Sequence, residues 1–325
     1  MKLELFMGTL NITPLAQSIT WSGDVTQLFR KLEVSLLNTK DGQNQWKTFE
    51  KGSELTLNFT QDEQTSVLFK GYIFADSIDV QGSMTITAYD SNIYLTKYQD
   101  TKKFQEKKAS DIIRELCREI DVISVGQIED TGYIIPKLIL RNKTLWAMMK
   151  EALEETKNHT GREFVVSSQD GKFFLKEHER NRVQWALESG VNIISASHAQ
   201  SIEDLRNVVK VVSGDENKDP IEVTKEDQSL ISKYNKMQHF ESAGNDQSRS
   251  KMQQLATQLL SNLGKIKHDT SVEALGNIEV IAGTTVQVTE NMTDMQGNYY
   301  VTTDSHTFAD GFHNMSLTIT QRVGS

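Results

Sequence analysis

Hydrophobic and polar positions alternate along much of the first hundred residues. Leu32, Val34 and Leu36 alternate with Glu33 and Ser35, and Leu55, Leu57 and Phe59 alternate with Thr56 and Asn58. Residues 67–74 form a stronger apolar run carrying Gly71, and residues 84–90 alternate again. A period of two, with Gly, Asn and Asp between the runs, predicts a half-buried antiparallel sheet. The connection from Asn38 to Gly52 is polar and long for a hairpin, yet it carries Trp46 and Phe49.

The period then changes. Ser110 is placed to cap a helix over 111–120, in which Ile112, Ile113, Leu116, Cys117 and Ile120 make one stripe. Thr144 opens a second helix with Leu145, Met148, Met149, Ala152 and Leu153 on one face, and Gly161 suits its C-terminal stop. Residues 163–178 are two alternating runs around Asp170-Gly171, the pattern of a hairpin.

From Asn207 the pattern returns to β. Residues 207–214 predict a strand and Asp227 starts a short helix. A longer helix is expected over 246–263, with Met252, Leu255, Ala256, Leu259, Leu260 and Leu263 facing a core. Three β runs close the chain at 278–290, 298–308 and 313–322. In the last, Met315, Leu317 and Ile319 alternate with Ser316, Thr318 and Thr320. The expected fold class is α+β, mostly β, in three parts. These are a β domain over 1–100, an α+β helix–hairpin domain over 101–200, and a second β domain over 201–325 with one long helix.

Composition narrows the classes of function. The chain has 325 residues and a formal net charge of −9, which is not the electrostatic footprint of a nucleic-acid binder. No run approaches the roughly 18 apolar residues that span a bilayer. The first ten residues make a poor signal peptide, so folding in a cytoplasm is expected. Cys117 is the single cysteine and reads as a small buried hydrophobe.

Chemistry is hard to find. No two glycines are separated by one residue and none are five apart, so both phosphate-cradling glycine loops are absent. No two of the seven histidines are three to five residues apart, so no helical metal pair exists. His306 and His313 flank one predicted hairpin and are placed to meet there, although ordinary strand and turn histidines are the simpler reading. Asp304-Ser305-His306 holds the letters of a catalytic triad, but strand neighbours point to opposite faces. We therefore assign no catalytic, metal or cofactor-binding residues and expect no enzyme. Trp46 and Phe49, in the long polar connection, either pin that loop to its own domain or anchor a partner. They are the candidate interface residues.

The C-terminal half carries a resemblance. Asp227-Gln228-Ser229-Leu230-Ile231-Ser232-Lys233-Tyr234 with Met237-Gln238 resembles a D-x-S-I-x-x-Y-G-x-[LM]-Q segment, and 201–209 resembles S-x-E-D-x-x-N-x-V. Gly297-Asn298-Tyr299-Tyr300-Val301, Ser305-His306-Thr307-Phe308 and Gly311 to Leu317 resemble a third conserved block. Thr144-Leu145-Trp146, Thr160-Gly161 and Asp170-Gly171-Lys172 resemble the helix–hairpin unit upstream of it. Together they resemble the baseplate hub proteins of contractile phage tails, most of all the hub of PBSX-like defective prophages, related to late control protein D. The likeness runs from about Ile19 to Arg322, with Asn235 standing where a glycine is usual.

That resemblance implies two tail-tube-like β-barrel domains per chain and a homotrimer presenting six of them. The ring would join the six-fold tail tube protein to the central spike protein. The implied place is the baseplate of a virion or phage tail-like particle, assembled in the host cytoplasm, with a tape measure and a LysM-type baseplate protein as further partners. Three chains at −9 each give about −27, and an acidic channel would repel passing DNA phosphates. The rival readings are a peptidoglycan-degrading tail enzyme and a tube or capsid-like building block of another kind.

Overall fold

A computed structural model of the chain describes residues 2–39, 47–178, 182–214, 221–244 and 247–321. It divides into two compact units, one made of residues 1–196 and 271–325, the other of residues 197–270.

The first unit starts with an antiparallel β region: β1 (Lys2–Met7), β2 (Leu10–Asn11), β3 (Ala16–Asp24), β4 (Lys31–Leu37), β5 (Glu54–Gln61), β6 (Gln64–Ile78) and β7 (Ser83–Asp90). The alternation seen in the sequence sets which side chains face in. Leu32, Val34, Leu36, Leu55, Leu57, Phe59, Met84, Ile86 and Ala88 are all buried in one core with Leu5, Ile19, Trp21 and Ile73.

The middle part follows as β8 (Gln99–Lys108), α1 (Ala109–Cys117), β9 (Ser124–Ile128), β10 (Ile134–Thr144), α2 (Leu145–Thr160), β11 (Phe164–Gln169) and β12 (Lys172–Glu177). Its own core joins the α1 stripe to Met148, Met149, Ala152, Phe173 and Leu175. Thr144 caps α2, accepting from the Ala147 N–H at 3.1 Å. Gly161 ends α2 with φ 72°, and Asp170 and Gly171 both take positive φ in the tight turn between β11 and β12. Ser110 is not the cap of α1. The helix begins one residue earlier, and the Ser110 N–H is satisfied by the Thr131 hydroxyl at 3.1 Å. β8 has too little apolar pattern to show in the sequence and exists through its pairing with β10.

β13 (Arg182–Glu188) and β14 (Ile193–Ser201) lead towards the second unit. That unit holds β15 (Val208–Ser213), β16 (Ile221–Glu226), α3 (Gln228–Tyr234), β17 (Gln238–Ser242) and α4 (Arg249–Leu263). Met252 and Ala256 of α4 pack with Val209, Val211 and Val223 of the three-stranded sheet. Asp227 caps α3 by accepting from the Ser229 and Leu230 N–H groups. Ser248 caps α4, which starts three residues later than the pattern suggests.

The chain returns through β18 (Lys267–Leu275), β19 (Thr285–Glu290), β20 (Met295–Ala309) and β21 (Phe312–Gln321). These strands join the first β region rather than standing apart. One sheet of 13 strands runs β14-β18-β21-β20-β3-β4-β7-β6-β5-β1-β2, with β19 and β13 branching from β20. Among the described residues no sheet closes on itself.

β20 makes the joint. Its first half pairs with β19 and its second half with β3, while β21 lies along its other edge. A bulge between Val301 and Thr303 adds one residue to the strand. The buried set therefore shifts from Tyr299 and Val301 to Asp304, His306 and Phe308. Met315, Leu317 and Ile319 of β21 are buried as the alternation predicts, in a core with Leu187, Val272, Val286 and Val288. Leu317→Ala should lower stability by about 2–5 kcal/mol in urea denaturation, whereas Thr318→Ala should change it by less than about 0.5 kcal/mol. Equal effects would mean that the β21 register is not the one described.

Candidate functional site

Polar chemistry concentrates where β3 meets β20. Arg30, at the end of the β3–β4 connection, is buried, and its guanidinium forms a two-pronged ion pair with Asp304 of β20, 274 residues away in sequence. Nη1 donates to Oδ1 at 2.9 Å and Nη2 to Oδ2. The guanidinium carbon lies 3.6 Å above the centre of the Trp21 ring. Asp304 Oδ1 also accepts the Ala282 N–H at 2.6 Å. Gly23 leaves the room: a Cβ there would stand 2.4 Å from Arg30 Nη1 and 3.1 Å from Asp304 Oδ1. A glycine inside a strand marks this kind of close approach.

The cluster continues through two histidines. His306 Nε2 lies 3.1 Å from the Val280 carbonyl and 3.4 Å from Asp304 Oδ2. A carbonyl only accepts, so Nε2 carries the proton. The neutral ring then offers Nδ1 as an acceptor to His313 Nε2–H at 3.0 Å. His313 stacks on Phe308 at 4.2 Å and over Gly276, where a Cβ would come within 2.1 Å of the ring. Beyond His313 opens a cleft of about 730 Å³, bordered by Phe59, Asp62, Trp185, Asn277 and Glu279.

Burial sets the protonation states. It lowers His306 to about 4, with the Asp304 charge opposing and the Arg30 charge assisting. Burial also lowers His313 to about 3, helped by His306. Asp90 stands on the far side of Arg30, accepting the Arg30 N–H at 2.8 Å and the Asn92 N–H at 3.0 Å. Burial raises Asp90 to about 6 against those hydrogen bonds. At neutral pH both imidazoles are therefore neutral, and Asp90 is mostly ionised beside the Arg30–Asp304 ion pair.

The residues singled out in the sequence fall as follows. His306 and His313 do meet, as a hydrogen-bonded pair. Among the described residues no group of three His, Cys, Asp or Glu side chains is placed to hold a metal ion. Asp304 and His306 face inward while Ser305 takes the opposite face of β20, so the triad letters do not converge. Phe49 is 4% exposed and belongs to the first core, so as placed it offers no anchor to a partner. Trp46 lies outside the described residues. Cys117 is buried, and burial pushes its thiol up to about 12. Arg30 and Trp21 were not singled out, and Gly23 before a lone arginine was the signal available.

Ion pair, indole, imidazole pair and backbone contacts form an arrangement that fastens strands. It offers no exposed nucleophile and no carboxylate pair facing a substrate. The blocks that build it, Ser305 to Phe308 and Gly311 to Leu317, are those of the third sequence motif. A family model described as YQBQ-like matches residues 19–320. The chain belongs to the YQBQ-like family.

One relative is named for a phage-like element. The chain is 29% identical over 324 residues to the phage-like element PBSX protein XkdQ of Bacillus subtilis, with coverage of 98% of this chain and 97% of that one. The fold is similar to that of the prophage MuSo2 43 kDa tail protein from Shewanella oneidensis, with TM-score 0.71, 11% identity, and coverage of 99% and 98%. It is also similar to the E. coli c3393 protein, a type VI secretion component described as resembling the phage T4 tail proteins gp27 and gp5. That match has TM-score 0.57, 8% identity, and coverage of 99% and 77%. The family and the sequence relative tie the chain to a phage-like element protein, and the solved structures show that it shares the fold of a prophage tail protein.

Breaking the ion pair leaves an unpaired buried charge. Asp304→Ala should therefore cost about 3–5 kcal/mol in chemical denaturation; a loss under about 1 kcal/mol would contradict the locking role. The pH dependence follows from His306. Its pKa is near 4 folded and about 6.5 unfolded, so between those values the unfolded chain binds more protons and stability falls as pH falls. Asp90, raised to about 6, acts in the opposite sense over part of that window. His306→Gln should therefore flatten the loss of stability between pH 6.5 and 4, measured against the unsubstituted chain; an unchanged slope would mean the imidazole is not held neutral.

Proposed function

We propose that the chain is a structural baseplate hub subunit of a contractile tail, a homotrimer that adapts the six-fold tail tube to the three-fold spike. The observation that carries this reading is the single open sheet in which two β regions, each with its own core, are fused across β3 and β20. In this reading each region stands for one tube-like domain, so three chains supply six. The middle α+β part and the smaller second unit are additions to that pair. The intended partners are the tube protein and the central spike, with a tape measure and a LysM-type protein as neighbours in the particle.

The Asn38–Gly52 connection keeps a docking role in this proposal through the indole of Trp46 rather than through Phe49. Its base is closed by Asn38, whose side chain donates to the Lys47 carbonyl at 2.9 Å and accepts the Lys47 N–H at 3.0 Å. The same residue ties the loop to the β6–β7 turn through Asn38 N–H to Gly82 O at 2.8 Å.

The competing enzyme reading draws no support from the cluster at β3 and β20, where the Asp304 carboxylate is engaged by Arg30 and the Ala282 N–H and both imidazoles are hydrogen-bonded. Two measurements separate the readings. The purified 36.8 kDa chain should have a native mass of about 110 kDa, three copies, and a stable monomer or hexamer would contradict the hub. Incubated with cell-wall sacculi, it should release no muropeptides; turnover abolished by one carboxylate substitution would establish the enzyme instead.

A further inference from the structure

Turn residues at hairpin tips are usually polar or glycine, and three turns of the first unit depart from that. Val80 in the β6–β7 turn is 96% exposed, Phe312 beside the β20–β21 turn 70%, and Met292 in the β19–β20 turn 93%. The turns are held in shape. Asp79 Oδ1 accepts the Gln81 and Ser83 N–H groups at 2.9 and 3.0 Å, and Glu290 accepts from Met292 and Thr293. Fixed apolar tips in water are the form that a contact anchor takes.

The strand directions say where these tips stand. β20 is antiparallel to β3, β3 to β4, β4 to β7 and β7 to β6. β6 and β20 therefore run the same way, and their C-terminal turns lie on one margin of the sheet. Val80 belongs to the first β region and Phe312 to the second, so each region presents one tip there. Ile78 and Leu10, less exposed, lie on that margin as well.

The opposite margin is different. β19 is antiparallel to β20, which places Met292 there, on the second β region. The first region's turns on that margin are Asp62-Glu63, between β5 and β6, and the β3–β4 connection, whose exposed residues are Thr26 and Gln27. Among the described residues, one chain thus shows two separate, highly exposed apolar tips on one margin and a single one, Met292, on the other.

We infer that the Val80 and Phe312 margin is the surface that docks on the six-fold tail tube, each β region contributing one anchor to one tube subunit. This rests on the trimeric hub reading. Three chains would turn two tips each into six anchors on that margin and one Met292 tip each into three on the other, matching a six-fold and a three-fold partner respectively. The chemistry favours a protein with apolar sockets. No Lys or Arg occurs in residues 76–83 or 308–314, so neither tip has the cationic groups that draw a protein to nucleic acid or to an anionic lipid surface.

The test uses the full chain and the tail tube protein of the same particle, with joining scored by electron microscopy and native mass measured in parallel. Val80→Asp with Phe312→Asp should leave the melting temperature and the trimer mass unchanged and reduce joining to tubes at least tenfold. Val80→Ser with Phe312→Ser should act in the same direction, which removes the added charge as the cause. Met292→Asp should join tubes normally. An unsubstituted chain that is not a trimer would sink the hub reading and this inference with it. A trimeric double variant that joins tubes as the unsubstituted chain does would overturn the inference alone. So would a folded double variant that loses its trimer, since the tips would then be contacts between copies, and so would loss of tube joining in Met292→Asp.

Discussion

The two β regions meet along one strand pair, β3 with β20, and the meeting is sealed by a buried ion pair between Arg30 and Asp304. Taking both charges out of water is expensive, and their mutual attraction offsets it through a two-pronged geometry and further contacts, although Arg30 Nε and Trp21 Nε1 are buried without a hydrogen-bond partner. Asp304 Oδ1 takes the Ala282 N–H, Trp21 covers the guanidinium, and His306 faces the second carboxylate oxygen. Such a pair adds little net stability over a well-packed apolar one, but it is unforgiving of register. A one-residue slip of β20 on β3 would turn Asp304 outward and leave Arg30 buried without a partner. The ion pair is best understood as the element that makes two β regions into one body with a single alignment.

Much of this was legible in the sequence. The period-two alternation over 32–37, 55–59 and 315–319 identified the strands and their inward faces correctly, because side-chain direction in a strand depends only on the parity of the position. Thr144, Gly161, Asp170-Gly171 and Asp227 were readable because caps and tight turns are decided within a few residues. Asn235, where the resembled segment usually has glycine, adopts φ 62° and ψ 178°, a backbone conformation that is otherwise almost confined to glycine and so is strained here. β8 and the fusion of the two β regions were not readable. Both depend on partners far along the chain, and no local pattern announces them.

The polar cluster shows the same division. His306 and His313, seven residues apart across one hairpin, were placed to meet and do. Arg30 lies 274 residues from its partner and carries no signal of its own beyond the glycine seven residues before it. The bulge after Val301 also matters, because it puts Asp304 and His306 on the face that continues the line of Val301. Without that extra residue the strand would present Thr303 and Ser305 to the core instead. Membership of the YQBQ-like family rests on a match over residues 19–320, which spans both partners of this ion pair.

The hub reading turns on how many β regions surround the axis of the assembled particle. A density map of the baseplate in which secondary structure is resolved would count them directly. Three copies of this chain should lie around one axis, with six β regions alternating between the first and second of each chain and joined in pairs by β3 and β20. A ring built from any other number of copies, or one lined by only one of the two β regions, would contradict it.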